Sequence, residues 1–139
     1  MIIVIRIAGQ VHLSEEVKET LNRIRLKKKY SATLLPETKE TAKLLLKIRN
    51  FVSYGSIKTE TLANLLAARA QPVKSSSKID TKKIMTEIEK KSLKELGIKP
   101  FFRLHPPRGG IDSKKHAGTT KKSVLGENKN INELVERML

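Results

Sequence analysis

The first 55 residues alternate between short β-branched apolar runs and segments with helical periodicity. Three runs, at residues 2–7, 30–35 and 51–54, are too short for helices and predict strands. Between them, apolar residues recur every three or four positions, which predicts two amphipathic helices that begin after the capping residues Ser14 and Thr38. Both helices need a sheet to cover, so the order β-α-β-α-β predicts a two-layer α+β unit.

The pattern changes after residue 55. An Ala- and Leu-rich segment predicts a helix at residues 59–70, and the Pro-, Ser- and Lys-rich stretch at 71–78 predicts a mobile linker. A further helix is expected after Asp80, where apolar residues again recur at helical spacing until Gly97. An amphipathic pattern at residues 130–139 predicts a short helix that docks on the rest of the protein.

These two patterns divide the chain into a core at residues 1–55 and a mainly helical extension at residues 56–139. The extension should pack on the core as one structural unit, because its first helix has a Leu-rich face that needs an apolar surface. Residues 99–122 are expected to form a basic loop. Few apolar side chains occur in residues 111–126, so we expect this stretch to be disordered in the free protein.

The most distinctive stretch is residues 101–110, with the sequence Phe-Phe-Arg-Leu-His-Pro-Pro-Arg-Gly-Gly. It begins as a short apolar strand, and its two consecutive prolines then exclude a helix because each fixes φ. The glycine pair that follows can adopt positive φ and lie close against another surface. The cationic side chains between them are therefore presented on a pre-ordered scaffold, which suits binding to a nucleic-acid backbone.

Charge strengthens this interpretation. The chain has 29 Lys and Arg residues against 14 Asp and Glu residues, a net charge of +15. Residues 23–30 carry five cations and no acid, and residues 99–122 carry seven cations and one acid, so these 32 residues hold +11 of the total. A merely solvated surface intersperses both signs. The clustering favours a polyanionic partner, with nucleic acid ahead of a membrane surface, and Tyr30 is placed to stack on a base.

Several kinds of chemistry are disfavoured. The chain has no cysteine, which excludes disulfides and thiolate metal sites. Its three histidines lack the paired spacing of a zinc site, and it has no glycine-rich phosphate cradle. No apolar run approaches the roughly 20 residues of a membrane span. We therefore expect no metal, cofactor, small-molecule substrate or membrane partner, and a cytoplasmic location. One catalytic alternative stays open, in which His105 is the general base of a ribonuclease.

Residues 102–110, followed by Lys-Lys-His-Ala-Gly at 114–118, resemble the C-terminal signature of archaeal members of the large-subunit ribosomal protein L-thirty family. The eukaryotic counterpart is the L-seven family. Residues 24–28 and 44–52 resemble the core that the family shares, and the similarity is weakest at 121–130. The resemblance implies a three-stranded antiparallel sheet related to the ferredoxin-like arrangement. It also implies a structural, non-enzymatic protein of the large ribosomal subunit that binds its rRNA and meets neighbouring ribosomal proteins.

The candidate RNA-binding residues combine both charge clusters with what the resemblance implies. In the core, they are Arg23, Arg25, Lys27, Lys28, Lys29, Tyr30 and Arg49. In the extension, they are Arg103, His105, Arg108, Gly109, Gly110, Lys114, Lys115, His116, Lys121 and Lys122. The leading hypothesis is a protein of the cytoplasmic ribosome that neutralises and clamps rRNA. The alternatives are a small ferredoxin-like endoribonuclease that uses His105, and a free-standing regulator that binds RNA or DNA.

Overall fold

The structure is a computed structural model that describes residues 1–73, 81–88, 91–111, 113–116 and 123–139. Within these residues the elements are, in chain order, β1 (Ile2–Arg6), α1 (Glu15–Arg23), β2 (Ser31–Leu35), α2 (Lys39–Ile48), β3 (Val52–Ser56), α3 (Thr59–Arg69), α4 (Thr81–Glu87), β4 (Phe102–Arg103), β5 (Ser113–His116), β6 (Ser123–Glu127) and α5 (Ile131–Met138). The strands and helices predicted for the first 55 residues are confirmed to within two residues at each end. The Ser14 hydroxyl accepts a hydrogen bond from the Val17 N–H, and the Thr38 hydroxyl accepts one from the Thr41 N–H, so both predicted caps are present.

The strands lie in the order β4-β2-β1-β3-β6-β5. β1 pairs antiparallel with both β2 and β3, so that Ile3 faces Leu34 on one side and Gly55 on the other. The α+β class and the antiparallel core trio are thus confirmed. However, the sheet has six strands where three were expected. The extension was expected to be mainly helical, but it also contributes β4, antiparallel to β2, and the parallel pair β6 and β5 beyond β3.

Both faces of the sheet are covered. Val4 on β1 points to one face, where it packs with Leu21 of α1 and Leu45 of α2. Its neighbours Ile3 and Ile5 point to the other face, because successive side chains of a strand alternate. That second face is covered by apolar residues of the extension, chiefly Leu62, Leu65 and Leu66 of α3 and Leu134, Val135 and Met138 of α5. The two layers predicted for the first 55 residues are present, and the extension adds a third layer on the other face of the sheet.

This arrangement explains why β1 is apolar at every position from Ile2 to Ile5 and does not alternate, since a strand buried on both faces needs apolar residues on both. Core and extension residues form one continuous apolar cluster on the second face. That residues 1–55 and 56–139 form one structural unit stays a prediction.

Gly55 lies inside β3, beyond the end of the strand predicted at residues 51–54. A Cβ at this position would lie 2.6 Å from the Asn128 carbonyl oxygen and 3.0 Å from Ile131 Cγ2. The missing side chain lets the turn before α5 approach the sheet, where the Asn128 N–H donates a hydrogen bond to the Tyr54 carbonyl at 2.8 Å. The absence of a side chain at Gly55 therefore allows the extension to pack closely on the core.

Three expectations need correction or lie outside the described residues. Residues 111–126 are not wholly disordered, because β5 and β6 fall within them and Val124 and Leu125 are buried. The second of the two predicted amphipathic helices buries less of its apolar pattern than expected, since Leu45 and Ile48 of α2 are buried but Ala42 and Leu46 are exposed. The helix predicted from residue 80 to Gly97 is shorter than expected, because α4 ends at Glu87 and residues 93–97 form turns. Residues 74–78 of the predicted linker and Asp80 lie outside the described residues.

Candidate nucleic-acid interface

The first cationic cluster, residues 23–30, forms a turn between α1 and β2 that we call the basic corner. Leu26 is fully buried and anchors it, while Lys27, Lys28 and Lys29 are all exposed. Two residues of the corner have positive φ, 67° at Arg25 and 61° at Tyr30. Such values are uncommon for residues other than glycine, and they turn the chain sharply on either side of the three lysines.

A buried arginine holds the basic corner from beneath. Arg6, at the end of β1, is only 3% exposed. Its guanidinium donates hydrogen bonds to the carbonyl oxygens of Leu26 at 2.7 Å and Lys27 at 2.9 Å, and also to those of Ala8 at 3.1 Å and Gly9 at 2.9 Å. The Arg6 carbonyl in turn accepts from the Tyr30 N–H at 2.8 Å.

The charge of Arg6 has no carboxylate among these partners. Burial lowers the pKa of Arg6, but an arginine with four carbonyl partners stays protonated. The residue thus places a positive charge directly under the basic corner and fixes the backbone of its lysines. Sequence reasoning missed it. The only available signal was that Arg6 is the one charged residue in the apolar run 2–7.

The extension reaches the basic corner through β4. Ser31 of β2 pairs with Arg103, and the Leu104 N–H donates to the Tyr30 carbonyl at 3.0 Å. Because side chains alternate along a strand, Phe102 enters the core, while Phe101 and Arg103 lie on the opposite face beside the corner. Part of the second cationic cluster is therefore brought to the first.

A cleft of about 330 Å³ forms where these segments meet, and we call it the aromatic cleft. Its lining residues are Arg25, Lys27, Lys28, Lys29, Tyr30, Ser31, Phe101, Arg103 and Leu104. Five of them are cations and none is acidic. Lys29 Nζ lies 4.7 Å from the centre of the Tyr30 ring, and Arg103 Cζ lies 5.9 Å from that of Phe101. Among the described residues, the ion pairs are Lys18–Glu15, Lys47–Glu16 and Lys91–Glu87, so no carboxylate there neutralises the cleft.

Residues 105–110 form a second feature, the diglycine loop. Arg108, Gly109 and Gly110 are exposed, and Pro107 is buried. The two glycines have φ of 78° and 72°, as expected for residues chosen to allow positive φ. A Cβ on Gly110 would meet no atom within 4 Å, so the outer side of the loop is open.

The diglycine loop is fastened to the last helix. Arg137 of α5 donates from Nε to the Arg108 carbonyl at 2.8 Å and from Nη2 to the Gly110 carbonyl at 2.7 Å. The Arg108 and His105 N–H groups donate to the carbonyls of Arg137 and Met138, at 2.9 and 3.0 Å. These bonds hold the loop in one conformation, which agrees with the pre-ordered scaffold expected from its prolines.

The other candidate residues are scattered. Arg23, the first residue of the basic corner, ends α1 and does not line the aromatic cleft, and Arg49 caps α2; both are exposed. Arg49 does not line the aromatic cleft. Its positive charge opposes the rise in the pKa of Tyr54 that burial, and then Glu127, produces. Residues 114–116, which are Lys114, Lys115 and His116, lie on edge strand β5. Lys121 and Lys122 are outside the described residues.

In the part of the chain that the structure describes, no group of three or more His, Cys, Asp or Glu residues is arranged to hold a metal ion. His105 is exposed, beside the diglycine loop. None of the described helices combines the length and the apolarity that crossing a membrane requires.

Comparison with known proteins gives consistent matches. Residues 2–52 match the family described as Ribosomal protein L30p/L7e. The protein named large ribosomal subunit protein uL30 of Archaeoglobus fulgidus is 38% identical over 130 residues, which cover 83% of this chain and 85% of the relative. The protein of the same name from Korarchaeum cryptofilum is 30% identical, with 100% and 95% covered. That from Haloarcula marismortui is 29% identical, with 96% and 97% covered.

Proposed function

Since the chain belongs to the ribosomal protein L30p/L7e family, we propose that it binds large-subunit rRNA through the basic corner and the diglycine loop. As a member of this family the chain is a structural constituent of the ribosome and not an enzyme. The endoribonuclease alternative, which relied on His105, is set aside on this ground. On the cytoplasmic ribosome, the protein also contacts neighbouring ribosomal proteins.

One observation carries the proposal. Five exposed or partly exposed cations converge on one cleft from two distant parts of the chain, and no carboxylate lines it. Like charges held this close repel one another, which destabilises the folded protein unless a polyanion neutralises them. The phosphates of RNA supply that negative charge, and Arg6 adds a further positive charge below the same surface.

The mechanism is binding by counterion release. Each Lys or Arg that meets a phosphate frees a condensed cation, so the affinity depends steeply on salt. If about 6–10 phosphates are engaged, affinity should fall roughly 10³- to 10⁵-fold between about 50 and 200 mM salt. The fixed backbones of the basic corner and the diglycine loop favour recognition of RNA shape and phosphates over reading of a base sequence.

The diglycine loop supplies a second contact. Its glycines leave the outer side free of side chains, so a sugar–phosphate backbone can approach the main chain closely. Arg108 and His105 are exposed beside that opening. Lys114, Lys115, His116, Lys121 and Lys122 extend the same basic region in sequence, and we include them in the proposed interface with Arg23 and Arg49.

Sedimentation tests the proposal. The tagged protein should sediment with large ribosomal subunits from lysate at physiological salt. A variant with Lys27→Glu, Lys28→Glu and Lys29→Glu should be lost from that fraction. It should also lower the slope of log affinity against log salt for rRNA fragments by about 2 to 3, because three phosphate contacts are removed.

A matched control changes the same net charge elsewhere. Lys39→Glu, Lys43→Glu and Lys58→Glu alter three exposed lysines, on α2 and at the N-cap of α3, that lie outside the basic corner and the aromatic cleft. This control should stay with the large subunit. If the wild-type protein does not sediment with large subunits, or if both triple variants behave alike, the proposed interface is wrong. A protein that stays free of subunits would instead be the free-standing regulator.

A further inference from the structure

The aromatic cleft has a feature that phosphate binding does not require. Its sides include two aromatic rings, Tyr30 from the residue before β2 and Phe101 from the residue before β4. The chain has only five aromatic residues in total, and both of these rings are partly exposed instead of buried in the core. An apolar ring beside a phosphate gains nothing electrostatically, whereas its face is a surface on which a nucleobase stacks.

The size of the cleft limits the ligand. Its volume of about 330 Å³ is at the small end of the roughly 300–1,000 Å³ range of ligand pockets. A base inside a duplex keeps both faces covered by its neighbours, so only a base in a loop or bulge can present a face to a protein ring. The cleft therefore fits one unstacked nucleotide and not a double helix.

The backbone fixes one wall of the cleft. Tyr30 has a φ of 61°, in a region where a bulky residue is an outlier. It is held there from both sides, by its N–H bond to the Arg6 carbonyl at 2.8 Å and by its carbonyl, which accepts from the Leu104 N–H at 3.0 Å. An unfavourable conformation that its surroundings impose is typical of a functional position. Here it sets the direction of the Tyr30 side chain.

Two cations lie against the rings. Lys29 Nζ is 4.7 Å from the centre of Tyr30, and Arg103 Cζ is 5.9 Å from that of Phe101. At exposed sites such cation–π contacts are weak compared with the stacking of a base on an aromatic ring. A base can therefore displace the cations from the ring faces, and the released cations are then within reach of the phosphates of the same nucleotide.

We propose that the aromatic cleft between Tyr30 and Phe101 receives one unstacked base of rRNA, with Lys29 and Arg103 on the flanking phosphates. This inference rests on the proposed function, because it assumes that the ligand of the basic corner is RNA. It adds a base-stacking site to an interface otherwise made of phosphate contacts, and it assigns a role to Phe101.

The test compares two RNA hairpins of equal length and charge. One carries a single bulged 2-aminopurine, and the other carries an abasic residue at the same bulge, so that they differ only in the base. Wild-type protein should bind the first about 5- to 150-fold more tightly, the range expected for stacking of one base. Binding should also change the 2-aminopurine fluorescence.

Variants assign the effect to the rings. Phe101→Leu keeps an apolar side chain but has no π-face. Tyr30→Asn replaces the ring with the side chain of a residue that tolerates positive φ. Both should lose the preference for the base while the salt slope stays unchanged, since no phosphate contact is removed. Phe101→Tyr should retain the preference. Phe51→Leu, which removes a partly exposed ring outside the cleft, should also retain it.

The outcomes separate this inference from the proposed function. Equal wild-type affinity for both hairpins, in a protein that still sediments with large subunits, overturns the base site and leaves rRNA binding intact. A lower salt slope in Phe101→Leu overturns it as well, because the ring would then act by positioning Arg103. If the protein binds neither hairpin and stays off the subunits, the proposed function fails and the base site fails with it. Circular dichroism confirms that each variant is folded.

Discussion

The basic corner and the diglycine loop are both exposed, cationic turns, but each is held in place by a different kind of arginine. Arg6 lies beneath the corner, 3% exposed, with four carbonyl partners. Arg137 lies on the surface of α5 and binds the Arg108 and Gly110 carbonyls of the loop from the side. In both cases one guanidinium fixes a turn by collecting its carbonyl oxygens, which a planar group with five donors does well.

The difference lies in which part of the protein each turn depends on. The anchor of the basic corner belongs to β1, inside the core at residues 1–55. The anchor of the diglycine loop belongs to α5, in the extension. The corner should therefore keep its shape whenever the core folds, while the loop should keep its shape only when the last helix is docked. The two charged turns thus depend on different parts of the protein: the basic corner depends on the core, and the diglycine loop depends on the docking of α5.

The strongest test of this difference is to make the same substitution at both anchors, Arg6 and Arg137. Arg6→Met should lower the free energy of unfolding by about 3 kcal/mol, because it leaves several poorly hydrated carbonyls without donors. Arg137→Met should cost about 1 kcal/mol, since its carbonyl partners are exposed and water can replace the guanidinium. Urea denaturation, monitored by circular dichroism, measures both.

Arg6→Lys serves as the control, because it keeps the positive charge but cannot reach four carbonyls at once. It should recover less than half of the loss. If Arg6→Met and Arg137→Met lowered the free energy of unfolding equally, water would be hydrating the carbonyls that Arg6 leaves. The distinction between a buried and a surface anchor would then be wrong.

A second test loosens α5 without touching either turn. Gly55→Ala places a methyl group 2.6 Å from the Asn128 carbonyl, a backbone atom that cannot move aside easily. We expect a loss of about 2 kcal/mol, the usual cost of overpacking a well-filled site. Amide hydrogen exchange should then accelerate at the Arg108 and His105 N–H groups, which bond to α5, and much less at the Tyr30 N–H, which bonds to Arg6.

Gly9→Ala is a useful comparison for that experiment, since a Cβ there would meet no atom within 4 Å. It should leave stability and exchange nearly unchanged. If Gly55→Ala accelerated exchange equally in the basic corner and the diglycine loop, the two turns would belong to one cooperative unit after all.

What could be predicted from the sequence was local. The β-branched runs, the helical spacing and the caps at Ser14 and Thr38 each depend on neighbours within a few residues, and the elements they predicted are present. That the glycine pair can adopt positive φ also follows from residue type, and both glycines do so. The two cationic clusters could likewise be recognised from the residue composition of 23–30 and 99–122.

What could not be predicted depends on contacts between distant residues. β6 has five residues next to a Lys-rich region, and it is a strand because it pairs in parallel with β3 on one side and β5 on the other. Phe101 reaches the aromatic cleft because β4 pairs with β2, some 70 positions earlier in the chain. Arg6 looked like an interruption in an apolar run, because its partners are backbone carbonyls, which no pattern of side chains reveals.

The smallest effect we predict concerns the exposed cations themselves. Arg108→Ala in the diglycine loop and Lys28→Ala in the basic corner should each change the free energy of unfolding by less than about 0.5 kcal/mol, because neither side chain is buried. Each should lower the slope of log affinity against log salt for an rRNA fragment by about 0.7 to 0.9, the share of one phosphate contact. Fluorescence anisotropy over a salt series measures this, with Lys43→Ala on the outer side of α2 as the variant that should change neither quantity.

The variants Arg108→Ala and Lys28→Ala together also decide whether the diglycine loop belongs to the RNA-binding interface. Arg108 donates its main-chain N–H to the Arg137 carbonyl, and its own carbonyl accepts from the Arg137 guanidinium, so its main chain is already engaged with α5. Substitution by alanine keeps both of those bonds and removes only the exposed guanidinium. An unchanged salt slope in Arg108→Ala beside a reduced one in Lys28→Ala would make the loop a fastening for α5 and leave the basic corner as the RNA-binding surface. A reduced slope in both would mean that the core and the extension each bring a rigid cationic turn to the same RNA.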